Sequence, residues 1–213
     1  MRLFRAELHI HTVLSPCADI EMLPPLIIEA VIERGINLIA ITDHNATANI
    51  AAVQEAAIGS DITILAGMEI QTREEVHSLC LFDTLEQVQA LQHMVDQHLS
   101  SGKNNPEFFG NQLIVDRDGE FLQEEDRMLI SSISLSIEQT CEAVHQLDGI
   151  FIPAHVNRKT FGLFENLGFV PENLEVVAPR QQGFLRGHCG EESSQRKRHC
   201  DDKGLCQGFK RQQ

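Results

Sequence analysis

Tryptophan and tyrosine are absent from the 213 residues, and the aromatic fraction of 5% is all phenylalanine. With so few flat side chains, the sequence offers no basic groove interleaved with aromatics, the arrangement that grips single-stranded nucleic acid. Basic residues are also scarce. Seventeen Lys/Arg stand against 31 Asp/Glu, a formal net charge of -14. That balance opposes nonspecific attraction to nucleic acid or to an anionic membrane. It does not exclude an anionic substrate, because bound divalent cations dominate the field inside a site. No apolar run approaches the ~20 residues of a membrane helix. Met1 to Leu8 is too polar for a signal peptide, so a cytoplasmic protein is expected. The six cysteines are then read as free thiols or metal ligands rather than disulfides.

What is present is a globular composition, 42% hydrophobic, long enough for one domain with a sizeable core. Through residue 178, short apolar runs alternate with amphipathic stretches. Strands are expected over Leu3–Ile10, Ile36–Thr42, Ile62–Ile70, Val76–Phe82 and Gly149–Ala154. Helices are expected over Met22–Arg34 (stopped by Gly35), Ala46–Ile58, Leu85–Leu99 and Ser136–Leu147. INLIAIT, at 36–42, reads as a strand buried on both faces. Residues 104–125 read as loop, with a hairpin near Asp116–Gly119. Strands alternating with helices imply parallel βα units. From Ala178 the pattern breaks. Residues 179–213 hold eight Lys/Arg and four Asp/Glu, with almost no apolar periodicity. They form a second segment, either a disordered basic tail or the product of a changed reading frame.

The metal-competent residues fall at strand ends. His9 and His11 close the first strand, Asp43 and His44 follow the second, and Glu69 ends the third. His77 opens the fourth, and His155 follows the fifth. Parallel barrel strands converge at their carboxyl ends, where active sites form. Two residues apart on a strand, His9 and His11 point to the same side. Imidazole suits zinc, iron and similar ions. Glu69, with two oxygens, can bridge two ions. Asp43 can orient a ligating histidine or join the shell itself. Any one of these residues alone is as well explained by a satisfied core histidine or a capping aspartate; their recurrence at successive strand ends is what points to a site. His93, His98 and His145 read as helix-surface or structural residues. His188, Cys189, His199, Cys200 and Cys206 match no common zinc spacing.

HIHT, ITDHN, GMEIQT, EVH and PAHVNR, in that order, resemble the polymerase and histidinol phosphatase (PHP) superfamily over about residues 5–178. The resemblance implies a distorted, TIM-like (βα)7 barrel holding two or three divalent ions, of zinc, manganese or iron. It implies that His9 and His11 hold one ion with Glu69 as the bridge, and that Glu69 and His77 serve a second near His155. His44 would serve a third with the Ser15-Pro16-Cys17 loop, where Cys17 replaces the family's histidine and Asp19 competes with it. The family's late Asp-x-His does not occur after His155, so the barrel is expected to be incomplete at its C-terminus. The activity expected is hydrolysis of a small phosphate monoester or nucleotide by a metal-activated hydroxide. Glu69 and Arg158 are the residues expected closest to the chemistry, Arg158 gripping phosphate with its planar fork. The alternative is a catalytically impaired domain serving as a metal-binding or regulatory module.

Overall fold

The computed structural model describes residues 3–156, 158–171 and 174. The chain runs β1 (Ala6–Ile10), α1 (Pro24–Glu33), β2 (Leu38–Ile41), α2 (Ile50–Ala56), β3 (Thr63–Gln71) and β4 (His77–Phe82). It continues through α3 (Leu85–His98), α4 (Pro106–Phe109), β5 (Leu113–Val115), β6 (Phe121–Glu124), α5 (Ile137–Gln146), β7 (Ile150–Pro153) and α6 (Leu163–Leu167). Five strands form one sheet in the order β1-β2-β3-β4-β7, curled into a half-barrel. This is the distorted barrel architecture expected.

The helices start and stop where local chemistry dictates. Pro24 and Pro25 open α1, and Gly35, at φ +62°, turns the chain after it. Thr84 with Gln87, and Ser136 with Gln139, form reciprocal capping boxes at α3 and α5. The expected helix over 46–58 shrinks to Ile50–Ala56. Asn45 sits at φ +49°, and its amide is spent on distant carbonyls, so the helix starts later.

The two faces of the sheet separate by residue parity. Ile39, Ile41, Ala66, Met68, Ile70, Cys80, Phe82 and Phe151 belong to the main core beneath the helices. Ala40, Leu79, Leu81 and Ala154 form a smaller cluster with Leu8, Leu65 and Ile152. β2 is thus buried on both faces, as its unbroken apolar sequence indicated. Each fully buried aliphatic or phenylalanine side chain contributes roughly 1.5–3 kcal/mol.

One expectation is corrected. The βα units are not all parallel: β1, β2 and β3 pair in parallel, but β4 is antiparallel to both β3 and β7. Only residues 72–76 separate β3 from β4, closed by Thr72 N–H donating to the Val76 carbonyl at 3.0 Å. A parallel crossover needs a dozen residues or more, so a hairpin is the only connection that fits. The reversal decides where His77 lies. It opens a reversed strand, so the start of β4 meets the same rim as the ends of β1, β2, β3 and β7.

Residues 99–135 make an excursion that carries α4 and the β5–β6 hairpin, whose turn falls at Asp116–Gly119 as expected. Asparagine side chains tie it to the sheet. Asn45 Nδ2 donates to the Leu129 and Ser131 carbonyls at 2.7 and 2.8 Å. Asn49 Nδ2 donates to the Leu113 carbonyl at 2.9 Å, while its Oδ1 accepts from Val115 N–H at 3.0 Å. Among the described residues, no helix is long and apolar enough to cross a membrane. The boundary at 178 and the tail's His/Cys residues lie outside the described residues; Leu174, before them, is buried.

Candidate metal centre

Glu69 organises the site. Its residue is 1% exposed, and its carboxylate faces five imidazoles. Oε2 lies 3.0 Å from His9 Nε2, 3.0 Å from His11 Nε2 and 3.4 Å from His44 Nδ1. Oε1 lies 3.0 Å from His77 Nδ1 and 3.5 Å from His155 Nε2. The two oxygens thus address different sets of rings, three from the β1 and β2 ends and two from β4 and β7.

Backbone pairing delivers these side chains. Glu69 N–H donates to the Asp43 carbonyl and Asn45 N–H to the Glu69 carbonyl, both at 3.0 Å. His44 is thereby held against Glu69 by an isolated bridge. His77 pairs with Gln71, on the same face of β3 as Glu69. Two residues before Glu69, Gly67 lets the strands close up: a Cβ there would stand 2.9 Å from the Ile41 carbonyl and from Thr42 Cγ2.

Electrostatics follow from burial and from this crowding. Burial alone would raise the Glu69 carboxyl, but His44, His11, His155 and His77 overcome it and hold it well below the usual range. Burial pushes His44 well below the ordinary histidine value. For His11, burial acts downward, but the hydrogen bond and charge of Glu69, with the charge of Asp43, raise it. Burial raises Asp43 against the pull of His11, Ser15 and Thr12.

The donor set fits a divalent metal. His44 Nδ1 is buried with no hydrogen-bond partner, and a buried nitrogen left so is costly unless something fills its lone pair. His9 Nε2 and His11 Nε2 lie 3.0 Å apart while both face the same carboxylate oxygen. Three groups each bring potential ligand atoms within 4.8 Å of one another: His9, His11 and Glu69; His44, Glu69 and His77; and His11, Cys17 and His44. Nitrogen and carboxylate oxygen suit zinc, manganese or iron, and a thiolate favours zinc.

Of the residues singled out in the sequence, His9, His11, His44, Glu69, His77 and His155 converge. Cys17 stands beside His11 and His44. Asp19 does not join any of these groups; it is exposed, and its Oδ1 accepts from Ile20 N–H at 2.7 Å. Arg158 lies on the loop beyond His155, its N–H donating to the His155 carbonyl at 2.8 Å. Asp43 faces Thr12 and Ser15 rather than the His44 ring beside it. Three neighbours went unread in the sequence. Ser15 Oγ is 2.9 Å from His11 Nδ1, and Gln71 Oε1 is 3.1 Å from His77 Nε2. Phe161 stacks on His77 at 4.5 Å between ring centres. Gln71 carried a legible signal, two residues after Glu69 on one strand face; Phe161 carried none.

An α/β half-barrel whose rim gathers five imidazoles around one carboxylate is the frame of a metal-dependent hydrolase. The model of the PHP domain matches residues 7–155, and the chain belongs to that family, whose members are metal-dependent phosphoesterases. The fold is similar to that of the lesion-specific endonuclease PfuEndoQ from Pyrococcus furiosus, at 20% identity and a TM-score of 0.59. It is also similar to that of an Endonuclease Q in complex with a 27-mer duplex carrying an abasic lesion, at 19% identity and a TM-score of 0.55. Each match covers 80% of this chain but only 39% of the other, so the chain spans about two fifths of their length. No curated protein matches the chain in sequence.

Proposed function

We propose that the chain hydrolyses a small phosphate monoester or nucleotide at a centre of two or three divalent ions. The observation that supports it most is Glu69, buried, with each carboxylate oxygen turned to a different set of imidazoles. In this reading His9 and His11 hold one ion and His77 and His155 a second, with Glu69 between them; His44 and Cys17 serve a third. Such ions, when bound, supply Lewis acidity and a hydroxide at neutral pH. The chain's own contributions are binding and orientation. Glu69, kept ionised by its neighbours, supplies the negative charge that retains the cations. Arg158, on the loop that follows His155, grips phosphate oxygens with paired donors.

The test is metal analysis of the full chain together with release of phosphate from an aryl phosphate, with and without chelator. Bound transition metal with chelator-sensitive turnover is the expected result. Metal without turnover of any phosphoester would overturn the enzymatic reading and leave a metal-binding module. A parallel assay on duplex DNA carrying an abasic site tests the nuclease alternative. Cleavage there, without monoester turnover, would replace the substrate class proposed. The acidic composition weighs against that outcome.

A further inference from the structure

We infer that Ser15 and Asp43 are positioning residues that fix the His11 tautomer so that its Nε2, beside Glu69, keeps a lone pair for a metal; the inference rests on the metal-centre reading above. It follows from a hydrogen-bond count. Val115 N–H donates to Asn49 Oδ1 at 3.0 Å, which sets the orientation of that amide. Asn49 Nδ2 therefore donates to Thr12 Oγ1 at 3.0 Å, and Leu14 N–H donates to the same oxygen at 3.1 Å. With both lone pairs of its hydroxyl used, Thr12 can only give its proton to Asp43 Oδ2, 2.7 Å away. Asp43 Oδ1 accepts Thr12 N–H at 2.7 Å and faces Ser15 Oγ at 2.7 Å. The carboxylate thus takes three donors, and the Ser15 proton is one of them.

Ser15 has two lone pairs left. His44 N–H, at 3.1 Å, takes one. The other faces His11 Nδ1 at 2.9 Å, and having no proton to offer, Ser15 must receive one. His11 is therefore protonated on Nδ1. Its Nε2, 3.0 Å from Glu69 Oε2 and 3.0 Å from His9 Nε2, is the nitrogen left to offer a lone pair to a metal. Thr12, Ser15 and Asp43 are all fully buried, so water does not compete for these bonds. The aspartate that precedes His44 in sequence thus acts through a serine on a different histidine. Fixing the tautomer by a partner on the other ring nitrogen is how ligating imidazoles are prepared for a metal.

The test uses the full chain, metal-free and labelled with nitrogen-15, at alkaline pH where imidazoles are neutral. Long-range proton–nitrogen spectra, assigned with His11→Gln, report which nitrogen of His11 carries the proton. The expected result is Nδ1. Ser15→Ala should lose that preference and weaken zinc binding by roughly 10–100-fold. Asp43→Ala should move the proton to Nε2, because the Ser15 hydroxyl, with its acceptor removed, can then give its own proton to His11 Nδ1. His11 protonated on Nε2 in the wild-type chain would overturn the inference. So would Ser15→Ala with an unchanged tautomer and zinc affinity within twofold. The wild-type spectrum decides even where a variant does not fold. A chain with Nδ1 protonated that binds no zinc would sink the metal-centre reading and leave the tautomer standing. A chain that binds zinc but shows Nε2–H would do the reverse.

Discussion

The two sides of Glu69 are built differently. Toward Oε2, the ends of β1 and β2 are locked by hydrogen bonds: Thr12, Ser15, Asp43 and Asn49 form a closed and fully buried network. Toward Oε1, Gln71 partners His77 at the start of β4, while the end of β7 and the loop after it rely on backbone conformation and packing. His155 and Phe161 adopt φ of +51° and +58°, where non-glycine residues are rarely found. Gly162 folds so closely over this loop that a Cβ would overlap the Arg158 and His155 carbonyls. Phe161 reaches back, its carbonyl accepting from His77 N–H at 3.1 Å and its ring lying on the imidazole. One side is set chiefly by a buried polar network, the other chiefly by backbone strain beneath a stacked ring. The first tolerates little chemical change, and the second little change of shape.

That contrast can be broken at its centre. Glu69→Gln removes the charge both sides share. Phosphoester turnover should fall by at least about 10²-fold, beyond the ~10–100-fold typical of losing an outer partner, and metal per chain should drop at both positions together. Retention of full metal content in this variant would mean the two sides bind independently. On the strained side, Phe161→Ala should lower metal retention by several-fold with little effect on the His9 and His11 position. Cobalt titration monitored by absorbance would separate the two, and equal loss at both would refute the division. Between the sides, Gly67→Ala forces β2 and β3 apart and should cost roughly 1–3 kcal/mol in urea unfolding, with both positions weakened alike.

The smallest effect is in pH. In the metal-free chain, His44 has its folded pKa lowered by burial. Its contribution to stability is complete above the ordinary histidine value of about 6.5 and is lost as pH falls below it. His11 is raised, so its contribution is present below that value and declines as pH rises through its folded pKa. His44→Asn should therefore flatten the fall of melting temperature on the acid side, and His11→Asn should remove a decline on the neutral side. Identical profiles for the two variants would show that the rings titrate as one group.

Much of this was legible in the sequence because strands announce themselves by apolar runs and ligands by residue type. The unbroken apolar β2 and Glu69 with the five histidines around it carried local signals. What was not legible depended on distance. The direction of β4 hinged on the shortness of the 72–76 turn rather than on any residue in the strand. The start of α2 was displaced because Asn45 serves carbonyls more than 80 positions away. Asp43 reads as orienting a ligating histidine or joining the shell, but which residues it meets, Thr12 and Ser15, depends on contacts some thirty positions away. Phe161 gave no sign because stacking has no sequence period.

The amides of Asn45 and Asn49 have a consequence for how the excursion over 99–135 can vary. It supplies none of the imidazoles, yet its carbonyls are sewn to the side chain of Asn45, immediately beside His44, and to that of Asn49, which also holds the hydroxyl of Thr12. Its hairpin tip can lengthen or change freely, since nothing in the centre leans on it. The carbonyls of Leu113, Leu129 and Ser131 cannot move without pulling on the loops that present the histidines. A graft that replaced this segment without reproducing those three anchor points would loosen a centre it never touches.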